Sequence, residues 1–169
     1  RRAQILASGV GVPWALEAQQ LLKDDYGVVA DVWSVTSWGE LRREGLAHDK
    51  ARFNDPFGEH IPTWVESKLA GTQGPIVAVS DYMHAVPDLI RPWVPRGYTT
   101  LGADGFGFSD TRAAARRYYN IDGPSIAVAV LQQLALKGEV PREWPLEAAR
   151  RYRLDDVTAG ASGKTGDSE

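Results

Sequence analysis

Three short apolar runs, residues 4–7, 28–35 and 75–79, and a fourth strand-like stretch at 98–101 recur along the chain, and the segments between them carry the spacing of helices. Alternating strands and helices have few ways to fold. The strands line up mostly parallel in one open sheet, and the helices cross over both of its faces. The expected class is therefore α/β with a three-layer, open, mostly parallel sheet and a possible short antiparallel edge strand at residues 119–121.

The turn Ser8-Gly9-Val10-Gly11 leads to Pro13, which suits the first turn of a helix, and Ala15, Ala18, Leu21 and Leu22 continue one face as far as Gly27. The near-continuous apolarity of residues 28–35 predicts a strand covered on both faces. Ser37 and Glu40 have the spacing of a capping box, whose cap contributes about 1 kcal/mol, so a helix is expected over 41–47. Residues 48–60 (HDKARFNDPFGEH) show no period and read as an irregular excursion before a short helix over 62–69. Further helices are expected over 87–94, over 111–119, from Asp122 and Pro124 to Gly138, and over 141–152. From residue 155 the chain is small and polar, so the domain is placed at 1–154 and a disordered tail at 155–169.

A length of 169 residues suits one domain. With no cysteine, disulfides, thiolate metal sites and a cysteine nucleophile are excluded. A net charge of −3 gives no reason to expect nucleic acid or an anionic membrane as partner. No apolar run approaches membrane-spanning length, and the opening RRAQILASGVG has no secretory segment, so a cytoplasmic setting is expected. The missing initiating Met and the immediate strand suggest a piece of something longer.

In such sheets ligands bind beyond the carboxyl ends of the strands. Four loops fall there: residues 8–13, 36–40, 80–83 and 102–110. The last opens LGADGFGFSDTRAAARRYY, where Asp110 or Ser109 can cap a helix starting near Thr111, with Arg112 and Arg116 beside its positive end. Asp104, Ser109, Asp110, Arg112 and Arg116 thus form a candidate anion or interface site, and Ser37, Asp81 and Tyr82 stand on neighbouring loops. The plain alternative is a capped strand-to-helix turn with an unusual glycine path. Nothing in the loop supplies a base and a nucleophile together.

Gly9, Gly11 and Asp31 invite a dinucleotide reading, but Trp14 stands where that motif needs Gly or Ala. His48, His60 and His84 are too far apart to pair at i, i+4 and read as structural or surface residues. Trp33, Trp38, Trp64 and Trp93 are most simply core, or cover for a partner. A stand-alone small-molecule or nucleotide binder and a self-associating interaction module stay open on these residues alone.

The strings Ser34-Val-Thr-Ser37, Ser80-Asp-Tyr-Met83 and Leu101-Gly-x-Asp-Gly-Phe-Gly-x-Ser-Asp-x-Arg112, with the helix over 127–137, resemble the C-terminal domain of the homodimeric bacterial pyruvate dehydrogenase decarboxylase family. The resemblance runs from Gln4 to about Leu154 and is weaker over 52–61. It implies a transketolase C-terminal domain-like fold. It also implies a parent that uses thiamine diphosphate and magnesium to decarboxylate pyruvate, passing the acetyl unit to a lipoyl group on the transacetylase of a multienzyme complex. The family's cofactor signature is Gly-Asp-Gly followed by Asn-Asn. This chain has only Ala103-Asp104-Gly105 and no Asn-Asn pair, so no catalytic, cofactor or metal residue carries over. What the resemblance implies for the domain is a non-catalytic part in subunit architecture and dimer contacts.

Overall fold

Strand β1 (Arg2–Ala7) is the spine of the sheet, and its alternating side chains divide the interior into two cores. The computed structural model describes residues 1–161. β1 pairs with β2 (Val29–Ser34) on one side and β3 (Ile76–Val79) on the other, and β3 pairs with β4 (Tyr98–Leu101). The order is β2-β1-β3-β4 with every pairing parallel.

Ala3, Ile5 and Ala7 face one core with Val77 and Val79. There they meet Trp14, Ala15, Ala18 and Leu22 of α1 (Gly11–Tyr26), Ile126, Val130 and Leu134 of α6 (Gly123–Leu136), and Ala148 of α7 (Trp144–Arg151). Leu6, Ile76 and Ala78 face the other core. It is closed by Trp38 of α2 (Trp38–Asn54), Val65 and Leu69 of α3 (Trp64–Leu69), and Ile90 and Trp93 beyond α4 (Ala85–Asp88). Helices on both faces make the expected three layers. The chain leaves β1 towards β2 over one face and returns to β3 over the other, so the direction of winding switches between β1 and β3.

Several local expectations are corrected. β2 is an edge strand, so Val29 is exposed and Asp31, Val32 and Trp33 are only partly covered, whereas coverage on both faces was expected. Its polar pattern follows from Gln4, which is buried in β1. Gln4 accepts from Trp33 Nε1 at 2.7 Å and donates to Asp31 at 2.9 Å and to the Gln73 carbonyl at 3.2 Å. Helix α2 runs seven residues past the expected 47, taking in much of the supposed irregular stretch, because it is a surface helix whose buried residues are only Trp38 and Gly45. Residues 119–121 form no strand: Asn120 turns left-handed with φ of 55°, and the Ile121 N–H bonds the Arg116 carbonyl. The antiparallel edge strand is therefore absent among the described residues.

Helix α5 (Arg112–Tyr118) is capped by Thr111, whose hydroxyl accepts from the Ala114 N–H at 3.2 Å, rather than by Ser109 or Asp110. It is tied to α6 by a buried ion pair, Arg117 Nε to Asp122 at 2.6 Å, while Arg117 Nη1 also reaches the carbonyls of Tyr152 and Arg153. Order continues past the expected boundary at 154. Val157–Ala161 forms a 3-10 turn against α5, where Gly160 lies so close that an added Cβ would come 2.8 Å from the Ala113 carbonyl oxygen. Residues 162–169 of the expected tail lie outside the described residues.

Candidate functional site

The parallel sheet brings the ends of β3 and β4 side by side, Val79 opposite Leu101, so the loops that follow leave from the same edge. They are fastened by backbone bonds. Ser80 N–H donates to the Leu101 carbonyl at 3.1 Å, and Ala103 N–H to the Tyr82 carbonyl at 2.8 Å. The fully buried Ser80 hydroxyl accepts from the Tyr82 N–H at 3.1 Å and tightens the first loop. Gly102 lies in the seam. A Cβ there would sit 2.5 Å from the His84 nitrogen and 2.8 Å from the Met83 carbonyl carbon, so only glycine allows this approach.

Asp104 completes the clamp by taking the His84 backbone N–H at 2.9 Å and ring Nδ1 at 2.7 Å on its two carboxylate oxygens. The His84 N–H bond is the main reason that the Asp104 carboxyl is held below its usual range. Gly105 and Gly107 follow, with φ of 110° and 96°, a backbone open to glycine and strained for other residues. Between them Phe106 is presented wholly to solvent. Phe108 stacks on Tyr118 at 4.4 Å with an interplanar angle of 7°, and Tyr82 and Met83 are exposed on the adjoining loop. The edge is thus a fixed framework carrying unsupported apolar side chains.

Of the residues singled out from sequence, Asp104 and Tyr82 meet in this clamp, Ser109 and Asp110 lie exposed on the continuing loop, and Arg112 is exposed at the first position of α5. Asp110 accepts from the Thr111 N–H, and Arg112 has no side-chain hydrogen bond or ion pair among the described residues. Arg116 does not join them; its guanidinium lies over the Trp14 ring at 4.8 Å. Asp81 is exposed beside Tyr82. Ser37 caps α2 by accepting from the Glu40 N–H at 3.1 Å and sits beyond the opposite edge strand, about 14 Å away at ordinary strand spacing. The two arginines differ in their surroundings, Arg112 being exposed at the start of α5 and Arg116 lying over Trp14. His84, Met83 and Phe106 were missed as site residues. Gly-Phe-Gly was the readable signal, since glycines on both sides of an aromatic residue leave it without local cover.

The dinucleotide alternative meets a specific obstacle. Asp31 lies in the middle of β2, and its carboxylate is taken by Gln4 and by Arg2 at 3.0 Å; the Gln4 bond is the leading cause holding its carboxyl below the usual range. Trp14 is buried where a close nucleotide turn would need space. Thiamine diphosphate with magnesium fits no better. Asp104, the acid of the Ala103-Asp104-Gly105 string, spends both oxygens on His84, and the described residues contain no group of three or more His, Cys, Asp or Glu placed to hold a metal.

Comparison with known proteins bears on the family and the fold. Residues 1–122 match the family model of the transketolase-like TK C-terminal domain. The chain belongs to that family. Among curated relatives, the pyruvate dehydrogenase E1 component of Mycolicibacterium smegmatis is 58% identical over 94% of this chain, and that of Mycobacterium tuberculosis is 54% identical over 97%. The Escherichia coli E1 component is 36% identical over 91%. The chain spans only 17% or 18% of the length of these relatives. A solved structure described as a split gene transketolase, inactive beta4 tetramer, superposes with a TM-score of 0.57 at 20% identity, covering 80% of this chain and 40% of that one. That likeness shows the fold. No described helix of this transketolase-like domain is long and apolar enough to cross a membrane.

Proposed function

We propose that this chain is the non-catalytic C-terminal domain of a thiamine-diphosphate-dependent pyruvate dehydrogenase, and that the carboxyl edge of its sheet docks against the other domains and the second subunit of the parent homodimer. The relatives' E1 names support the parentage, and their greater length leaves ample chain to carry the cofactor site elsewhere. In this reading the decarboxylation of pyruvate, the magnesium-bound cofactor and the transfer of acetyl to the lipoyl transacetylase belong to the whole cytoplasmic enzyme, an oxidoreductase. The domain's own residues supply shape and contact.

The observation that carries the docking role is Phe106. Exposing a phenylalanine on a glycine-flanked tip loses its apolar transfer energy, roughly 2 kcal/mol, unless another surface covers it. Arg112, exposed at the start of the helix that follows this loop, is available to bond across such a contact. Sedimentation of the parent subunit with Phe106→Ser tests the proposal. Weakened dimerisation, with the melting temperature of this domain unchanged, is the expected result; an unchanged dimer removes Phe106 from the interface.

A further inference from the structure

The chain contains two Asp-Gly pairs, Asp104-Gly105 and Asp122-Gly123, and no Asn-Gly pair. An aspartate followed by glycine is open to main-chain rearrangement, because glycine has no Cβ to shield its nitrogen from the neighbouring carboxyl carbon. In that reaction the glycine nitrogen gives up its proton and bonds to the aspartate Cγ, a carboxyl oxygen leaves as water, and a succinimide ring closes. Water then adds back. Where it opens the ring at the former main-chain carbonyl, the chain runs on through Cβ and Cγ as isoaspartate. One water leaves and one returns, so the rearrangement needs no other reagent and involves no oxidation or reduction.

The two pairs stand in opposite surroundings. The Asp122 side chain is 11% exposed; Arg117 takes one oxygen, the Ser125 N–H and hydroxyl take the other, and Glu17 lies against Gly123 at the start of α6. The Asp104 side chain is 59% exposed, and a Cβ added to Gly105 would meet nothing within 4 Å. Among the described residues only His84 bonds this carboxylate, its backbone N–H on one oxygen at 2.9 Å and its ring Nδ1 on the other at 2.7 Å. These bonds oppose ring closure in two ways. They commit the carboxylate to the neighbouring loop, and they favour its anionic form, whereas the leaving oxygen must depart as water from the neutral acid.

We infer that Asp104-Gly105 is a latent isoaspartate site, held back by the two bonds from His84. Conversion adds one carbon to the main chain immediately before Gly105 and leaves the carboxylate on Cα, so the clamp with His84 is lost and Phe106, two residues on, is displaced. The site is thus a one-way, time-dependent change at the edge that presents Phe106. Its consequence for assembly rests on the docking role proposed above; the chemistry does not, and it is read on this chain alone.

The test is to hold the purified chain near neutral pH at physiological temperature for several weeks and to map isoaspartate by peptide fragmentation, with a protein-isoaspartyl methyltransferase as reagent. His84→Ala removes the ring bond but keeps the backbone N–H, and its melting temperature checks that it folds. It should convert position 104 about three- to tenfold faster than the folded wild type, the effect of losing one exposed hydrogen bond. In guanidinium chloride, where both pairs are released, positions 104 and 122 should both convert in the wild type, while 122 stays unchanged in either folded protein. Asp104→Glu, whose longer side chain closes the corresponding ring far less readily, should remove the signal. Equal rates at 104 in folded wild type and His84→Ala would overturn the guarding by His84. No isoaspartate at 104 in His84→Ala or in the unfolded chain, or a signal that survives Asp104→Glu, would overturn the site itself.

Discussion

His84 and Asp104 hold the two loops of the carboxyl edge together, backbone N–H to one carboxylate oxygen at 2.9 Å and ring Nδ1 to the other at 2.7 Å. Because His84 is fixed by the loop after β3 and Asp104 by the loop after β4, this single carboxylate sets where Phe106 stands. Its loss would loosen the edge without touching either core.

The clamp has a pH dependence with a definite sign. Asp104 is held below its unfolded value of about 3.9, so its contribution is present above that pH and is lost as pH falls through the lower folded value. Protection of the His84 amide, with exchange corrected for its intrinsic pH dependence, should be lost only below about pH 4 in the wild type. In Asp104→Asn that acid step should vanish, and an undiminished step would assign the pH dependence to another group.

Gly102→Ala would force a methyl group against the His84 nitrogen, 2.5 Å away in a seam of backbone. The cost expected from denaturant unfolding is about 1–3 kcal/mol, the range for overpacked sites. A neutral substitution would mean that the seam yields.

Arg117→Ala removes one partner of a buried pair and leaves Asp122 facing the Ser125 hydroxyl and N–H alone. Loss of about 3–5 kcal/mol is expected. Replacing both Arg117 and Asp122 with apolar residues should cost less than the single change, which a double-mutant cycle can measure.

Arg112→Ala separates assembly from folding. Arg112 is exposed and without a side-chain partner among the described residues, so the stability of the domain should change by less than about 0.5 kcal/mol. Self-association of the parent subunit should weaken. Equal losses in melting and in sedimentation would make Arg112 part of the fold instead.

The fold was legible in the sequence where each face of an element carried one kind of residue. Tyr98–Leu101 forms the expected fourth strand, and Gly27 ends α1 as expected. The far half of α2 was hidden because a helix that buries little shows no apolar stripe. β2 misled for the converse reason: residues 28–35 are apolar enough for a central strand, yet edge position is set by pairing order, which periodicity does not report. At the candidate site Asp104 stood out for its likeness to a cofactor motif, whereas its use depends on His84, twenty residues earlier and adjacent only because β3 and β4 pair in parallel.

Calorimetric titration of this chain with thiamine diphosphate and magnesium, run beside a pyruvate decarboxylation assay, tests the non-catalytic reading most directly. No saturable heat and no release of carbon dioxide are expected. Micromolar binding or measurable turnover by this chain alone would contradict it.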